Sequence, residues 1–163
     1  MREFTLDCEL DLPLQRSEVF AFFADAHNLQ AITPPWLKFE VLTPAPIVMR
    51  PGALIDYRIT VHGLAIRWRT EIAEWDPPRR FVDVQVRGPY TLWHHTHTFE
   101  ESASGTLCRD RVRYRPRGGA LIHWLFVRRD VERIFQYRQQ RLREYFATLL
   151  RRVPFKGAQH LWP

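Results

Sequence analysis

The stretch Thr91-Leu92-Trp93-His94-His95-Thr96-His97-Thr98-Phe99-Glu100-Glu101, then Ser102-Ala103-Ser104-Gly105, then Thr106-Leu107-Cys108-Arg109-Asp110-Arg111-Val112-Arg113-Tyr114-Arg115, reads as a β-hairpin. Both arms alternate with a period of two, and the residues between them are small. Alternate residues of a strand share a face, so Trp93, His95, His97 and Phe99 point one way and His94, Thr96 and Thr98 the other. If the turn sets Phe99 opposite Cys108, then His97 faces Asp110, His95 faces Val112 and Trp93 faces Tyr114. An indole and two imidazoles on one face is an unusual core and a plausible cavity wall, metal site or acid/base site.

Upstream, the same period recurs. In Ala53 to Val61, Ile55, Tyr57, Ile59 and Val61 oppose Asp56, Arg58 and Thr60. His62-Gly63 turns this strand into Ala65 to Trp75, where Ile66, Trp68, Thr70 and Ile72 share a face, predicting a second antiparallel hairpin. Asp76-Pro77-Pro78 and Gly88-Pro89 bracket a strand over Phe81 to Val86. Phe39 to Leu42 is a short strand. Residues 3 to 11 form the first one, with Phe4, Leu6, Cys8 and Leu10 on one face. Pro13 ends it, and Ser17 is expected to cap a short helix, Glu18 to Ala24, carrying Val19, Phe20, Phe22 and Phe23. A second helical turn, Asn28 to Ile32, stops at Thr33-Pro34-Pro35.

Downstream of Gly118-Gly119 the period becomes about 3.6. Val131, Ile134, Phe135, Leu142, Tyr145, Phe146 and Leu149 make one apolar stripe. The arginines among them, Arg128, Arg129, Arg133, Arg138, Arg141, Arg143, Arg151 and Arg152, are read as a solvated face. Trp124, Leu125 and Phe126 open the helix and are expected to pack, with gating of the pocket as the alternative. The tail, 153–163, shows no period and is expected to be a loop or frayed end, leaving 1–152 as a single domain.

With 163 residues, 45% hydrophobic and 13% aromatic, the chain is globular rather than disordered and long enough for a real core. No apolar run approaches eighteen residues, and Met1-Arg2-Glu3-Phe4 lacks a signal-peptide layout, so a cytoplasmic protein is expected. Cys8 and Cys108 fall on separate strands without a CxxC pair and read as buried free thiols. The net charge of +6 is mostly arginine and speaks to solubility before it speaks to a partner.

A strand, two short helices, six antiparallel strands and a long C-terminal helix make an α+β fold. A curved sheet of about seven strands wrapped around that helix leaves room for a pocket between them. The phrases Phe22-Phe23-Ala24-Asp25, Thr33-Pro34-Pro35-Trp36-Leu37, Gly52-Ala53-Leu54-Ile55-Asp56-Tyr57, Trp75-Asp76-Pro77-Pro78, Phe81-Val82-Asp83-Val84-Gln85 and Trp93-His94-His95-Thr96-His97-Thr98-Phe99 carry the reading further. They resemble the START-like or SRPBCC superfamily, which has the helix-grip fold and includes birch-pollen-allergen-like proteins, and within it a bacterial subgroup of ligand-binding proteins. The resemblance covers about residues 3 to 150. It implies that Phe81, Asp83 and Gln85 line the cavity, where hydrophobicity alone would bury Val82, Val84 and Val86 instead. It also implies an epimerase-like partner, since such domains are sometimes fused to sugar-nucleotide epimerase-like ones.

Asp83 then falls near His95 or Trp93, and acidic residues flank both imidazoles. A structural and ligand-orienting network, in which Asp83 and Asp110 satisfy His95 and His97 inside a mixed cavity, is the preferred reading. Tyr57, Trp68, Asp83, Gln85, Trp93, His95 and His97 are the expected ligand-binding residues. The expected ligand is a small hydrophobic or amphipathic molecule such as a lipid, quinone or polyketide-like compound. One alternative is a cyclase or dehydratase using His95 or His97 with Asp83 or Asp110 as acid/base pair. Another is an arginine-rich module for ribosome, RNA or a membrane surface, although Arg111, Arg113 and Arg115 lack the interleaved aromatics of a nucleic-acid platform. Bound metal is a further reading, because His-x-His supplies two nitrogens from one face and Asp83 or Asp110 could add oxygen. It is half a cupin-type set in which neither the third His nor the Glu follows, and His27, His62, His123 and His160 lie elsewhere, so no metal or cofactor is expected.

Overall fold

The computed structural model describes residues 2–152; the tail expected at 153–163 lies outside them, as does His160. The chain runs β1 (Phe4–Leu12), α1 (Arg16–Phe23), α2 (Asn28–Ala31), a single turn at Pro35–Leu37, β2 (Glu40–Val41) and β3 (Leu54–Val61). It continues through β4 (Leu64–Asp76), β5 (Arg80–Arg87), β6 (Tyr90–Ser102) and β7 (Gly105–Pro116). Helices α3 (Gly119–Ile122) and α4 (Arg128–Arg152) follow, joined by a π-helical turn at His123–Val127. The seven strands form one antiparallel sheet in the order β1-β7-β6-β5-β4-β3-β2. It is the curved sheet with a long C-terminal helix that the alternation and the change of period predict.

Turn chemistry sets the registers. At the β3–β4 turn His62 and Gly63 both have positive φ, 48° and 82°, the two-residue hairpin geometry that matches strand twist. At the β6–β7 turn Gly105 lies against β1: a Cβ there would meet the Leu12 carbonyl oxygen at 2.3 Å. The β6–β7 register is as expected, with Trp93 opposite Tyr114, His95 opposite Val112, His97 opposite Asp110 and Phe99 opposite Cys108.

Three packed clusters surround the space between sheet and helix. Leu142 and Phe146 of α4 close one end against Leu10, Leu12, Phe20, Phe22, Phe81 and Phe99. Val131 and Phe135 pack on Val112 and Tyr114. Ala26, Ala53, Ile55 and Ile72 make a third group. Burying each large apolar side chain contributes about 1.5–3 kcal/mol, and the first two clusters hold α4 in place. Both thiols are free; Cys108 is buried as expected and Cys8 only half-buried, and burial pushes them up to about 12 and about 11 respectively.

Several local expectations are corrected. Helix α1 begins at Arg16, so Ser17 lies inside it; Gln15 is the cap, and its N–H donates to the Glu18 carboxylate at 3.1 Å. Trp124, Leu125 and Phe126 are exposed rather than packed. The π turn adds a residue per turn and rotates the stripe, giving the inward position to His123 instead. The apolar stripe also outruns the core, since Tyr145 and Leu149 are exposed. Of the outward arginines of the sheet, Arg111 and Arg113 are exposed as expected and Arg115 is half-buried. Arg109 and Arg111 pair with Glu9 and Asp7 of β1, and Arg113 with Glu3 just before it.

Candidate functional site

A cavity of about 860 Å3 lies between the sheet and α4. Its walls come from β3, β4, β5 and β6 on one side and α4 on the other, with α2 and the Pro35–Leu37 turn covering one flank. Alternation brings one face of each strand inward, so Tyr57, Trp68, Asp83, Trp93, His95 and His97 all line it. Gln85 does not. Its amide is turned to the β5–β6 connection, donating to the Tyr90 carbonyl at 2.8 Å and accepting from the Tyr90 N–H at 3.2 Å. Gly88 permits this latch, because a Cβ there would meet Gln85 Oε1 at 2.3 Å.

The aromatic side is a continuous shelf. Tyr57 stacks on Trp68 at 6.0 Å, and Trp68 meets Trp93 edge-on at 5.3 Å. Thr70, inward on β4 and buried, anchors the shelf. Its hydroxyl accepts from Trp68 Nε1 at 3.1 Å and hydrogen-bonds the Tyr57 hydroxyl. Burial pushes the Tyr57 phenol up, and the nearby Asp83 charge adds to this, so it is held neutral.

The polar side is a compact four-membered cluster. Register places Asp83 opposite His95 and Phe81 opposite His97 on β5 and β6, with Asp110 opposite His97 on β7. His95 and His97 are 3.8 Å apart between ring centroids, and Phe81 stacks on His97 at 4.0 Å. Asp83 Oδ2 is 3.0 Å from His97 Nε2 and 3.5 Å from His95 Nδ1. On the other side, Asp110 Oδ1 is 2.9 Å from His95 Nε2 and 2.7 Å from His97 Nδ1. Both imidazoles are buried, and the carboxylates nearly so. His94 lies on the outer face opposite Arg113, as alternation requires, although it is half-buried there.

Burial and charge act in opposite directions here. Burial raises the Asp83 carboxyl, but His95, His97 and the Arg138 guanidinium outweigh it and hold the group below the usual range. Asp110 is held further below, burial again being outweighed by the two histidines. Burial and the neighbouring His97 lower His95. His97 is raised, because Asp110 and Asp83 overcome its burial.

Arg138 belongs to this site, contrary to the expectation of a solvated arginine face on the helix. It lines the cavity, and its Nε is buried without a hydrogen-bond partner. Its position carries the signal: 138 falls on the buried line of Val131, Phe135, Leu142 and Phe146 at three- and four-residue steps. Arg133 also reaches the wall, stacked over Trp36 at 5.0 Å. At the opposite flank, His62 of the β3–β4 turn meets Asp130 of α4 at 2.7 Å, linking sheet to helix beside Phe126.

The sequence profile of the family described as polyketide cyclase / dehydrase and lipid transport matches residues 12–143. The chain belongs to this family. Its membership agrees with the START-like, helix-grip reading. Among solved structures, protein Ms6760 from Mycobacterium smegmatis is 17% identical with a TM-score of 0.65, covering 90% of this chain and 92% of that one. Ara h 8.0201 is 16% identical with a TM-score of 0.65, covering 90% and 99%. The ginseng major latex-like protein 151 from Panax ginseng is 12% identical with a TM-score of 0.63, covering 88% and 97%. These likenesses establish a shared fold. No curated protein matches the chain. A ligand-binding domain of the polyketide-cyclase-like kind is the function that family and fold indicate. Among the described residues no helix is long and apolar enough to cross a membrane.

Proposed function

We propose that this family member binds a small hydrophobic or amphipathic molecule, of lipid, quinone or polyketide-like chemistry, between its sheet and α4. The observation that carries the reading is the cavity itself. It has about 860 Å3 of space, walls of Ile59, Ile66, Ile134, Trp68 and Trp93, and a few convergent polar groups. That is the usual constitution of a small-molecule site. The polar groups gather around Asp83, His95, His97 and Arg138, which favours a ligand with one polar end and an apolar body.

Purifying the full chain without detergent, extracting it with organic solvent and analysing the extract by mass spectrometry tests this directly. The expected result is an apolar molecule released in near-stoichiometric amount. Recovery of no such molecule, together with no binding of fatty acids or quinones offered to the purified protein, would overturn the reading.

One observation favours a second reading, acid/base catalysis in the same cavity. His95 and His97 stand beside Asp83 on the cavity wall with a second carboxylate, Asp110, behind them, the arrangement that orients an imidazole for proton transfer. Turnover of a polyketide-like substrate that is lost in His95→Gln and His97→Gln variants shown by circular dichroism to be folded would establish it.

A further inference from the structure

We propose that Asp83, His95 and His97 bind one divalent transition-metal ion on the cavity wall, with Asp110 as the carboxylate that stands behind the pair and orients His95. The inference stands apart from the identity of any organic ligand. Each of the three side chains offers a ligand atom, and the atoms lie within 4.8 Å of one another. Of the two carboxylates the sequence offers as a third ligand, the neighbouring strand supplies Asp83: Asp83 of β5 is in register with His95 of β6.

The two faces of the histidine pair are unlike each other. His97 Nε2 and His95 Nδ1 both look toward Asp83 Oδ2, at 3.0 and 3.5 Å. His95 Nε2 and His97 Nδ1 both look toward Asp110 Oδ1, at 2.9 and 2.7 Å. A metal-ligating imidazole needs a lone pair on the metal side and an N–H on the other, and a carboxylate behind it commonly accepts that N–H. Asp110 does this for His95, whose Nε2 hydrogen-bonds it at 2.9 Å, while His97 Nδ1 lies 2.7 Å from the same carboxylate without a hydrogen bond of good geometry. A dication held by Asp83 and the two nitrogens would also balance the two buried carboxylates.

Two nitrogens and one carboxylate oxygen suit zinc or iron(II) rather than calcium or magnesium, which take oxygen donors. Asp83, His95 and His97 line the cavity, whereas Asp110 does not. Remaining coordination positions therefore open toward whatever the cavity holds, as in sites where a metal meets a ligand or water.

The full chain, stripped with a chelator, is titrated with Zn2+ by calorimetry and with Co2+ by absorption spectroscopy. One ion per chain and Co2+ ligand-field bands are expected. Asp83→Asn, which keeps the side-chain shape, should weaken binding at least tenfold and change the bands. Asp110→Asn should weaken it by about 10- to 100-fold, the range for partners behind a ligating imidazole. Circular dichroism confirms that each variant is folded; if one is not, the other carries the test. Absence of a stoichiometric ion overturns the proposal. So does affinity unchanged in Asp83→Asn, which would put the ion elsewhere, for example at the exposed Asp25–His27 or His62–Asp130 pairs.

Discussion

Asp83 of β5 and His97 of β6 meet through Oδ2 and Nε2 at 3.0 Å, with the imidazole buried and the carboxylate nearly so. Removing one member of such a pair leaves the other uncompensated, at a cost of about 3–5 kcal/mol. We expect Asp83→Ala and His97→Ala each to be strongly destabilising in chemical denaturation of the metal-free protein. The double variant should lose less than their sum, with a coupling of about 0.5–3 kcal/mol. Simple additivity would show that the contact does not matter.

Thr70 serves two aromatic side chains at once, accepting from Trp68 Nε1 and sharing a hydrogen bond with the Tyr57 hydroxyl. Thr70→Val keeps the shape but leaves Trp68 Nε1 and the Tyr57 hydroxyl without their partner, and an unsatisfied buried group costs about 1–3 kcal/mol. Thr70→Ser should keep most of the wild-type stability. Equal midpoints for the Val and Ser variants would contradict the anchoring role.

If Arg138 receives the polar end of an amphipathic ligand, Arg138→Met should weaken binding of a long-chain fatty acid about tenfold or more, the scale of one charge-assisted hydrogen bond. A fatty alcohol of the same length should be much less affected. Parallel titrations of both probes decide the point, and equal losses would count against it.

His123 supplies a pH dependence. It is buried, stacked on Phe4 at 3.4 Å, with Nε2 3.1 Å from the Tyr114 hydroxyl. Burial lowers it first, and Arg128 and Arg2 add to this against a smaller opposing pull from Glu132. The folded state thus favours the neutral ring. Below the unfolded value, 6.5, the unfolded chain takes up the proton first, so stability falls as pH drops through the window beneath it and is flat in this respect above it. In His123→Phe the difference between melting temperatures at pH 7.5 and pH 5.5 should shrink. An unchanged or larger difference would refute the assignment.

The strands and their registers were legible because alternation, turn residues and one assumed pairing, Phe99 with Cys108, are local signals. That pairing alone carries His97 to Asp110 and Trp93 to Tyr114. Asp83 beside His95 was also within reach, since an antiparallel neighbour had only a narrow choice of registers. Gln85 shows where periodicity stops: it shares a face with Asp83 in the pattern, yet its amide is taken by the Tyr90 backbone, a turn contact that alternation does not encode. Arg138 shows the opposite failure. Its residue type suggested solvent while its position on the helical line pointed inward, and position prevailed because the cavity has room for a charged side chain beside Asp83. Trp124, Leu125 and Phe126 are exposed, Phe126 at the cavity's edge beside His62, because the π turn at His123–Val127 breaks the period from which they were read.

The central claim is that the space between sheet and α4 is a ligand site rather than a packing defect. Titration of a fluorescent fatty acid into wild type and into the Ile59→Trp/Ile134→Trp double variant, which puts two indoles into the cavity, tests it most directly. One-to-one binding to wild type and at least tenfold weaker binding to a folded double variant is the predicted result. Equal binding by both proteins, or none by wild type, would contradict it.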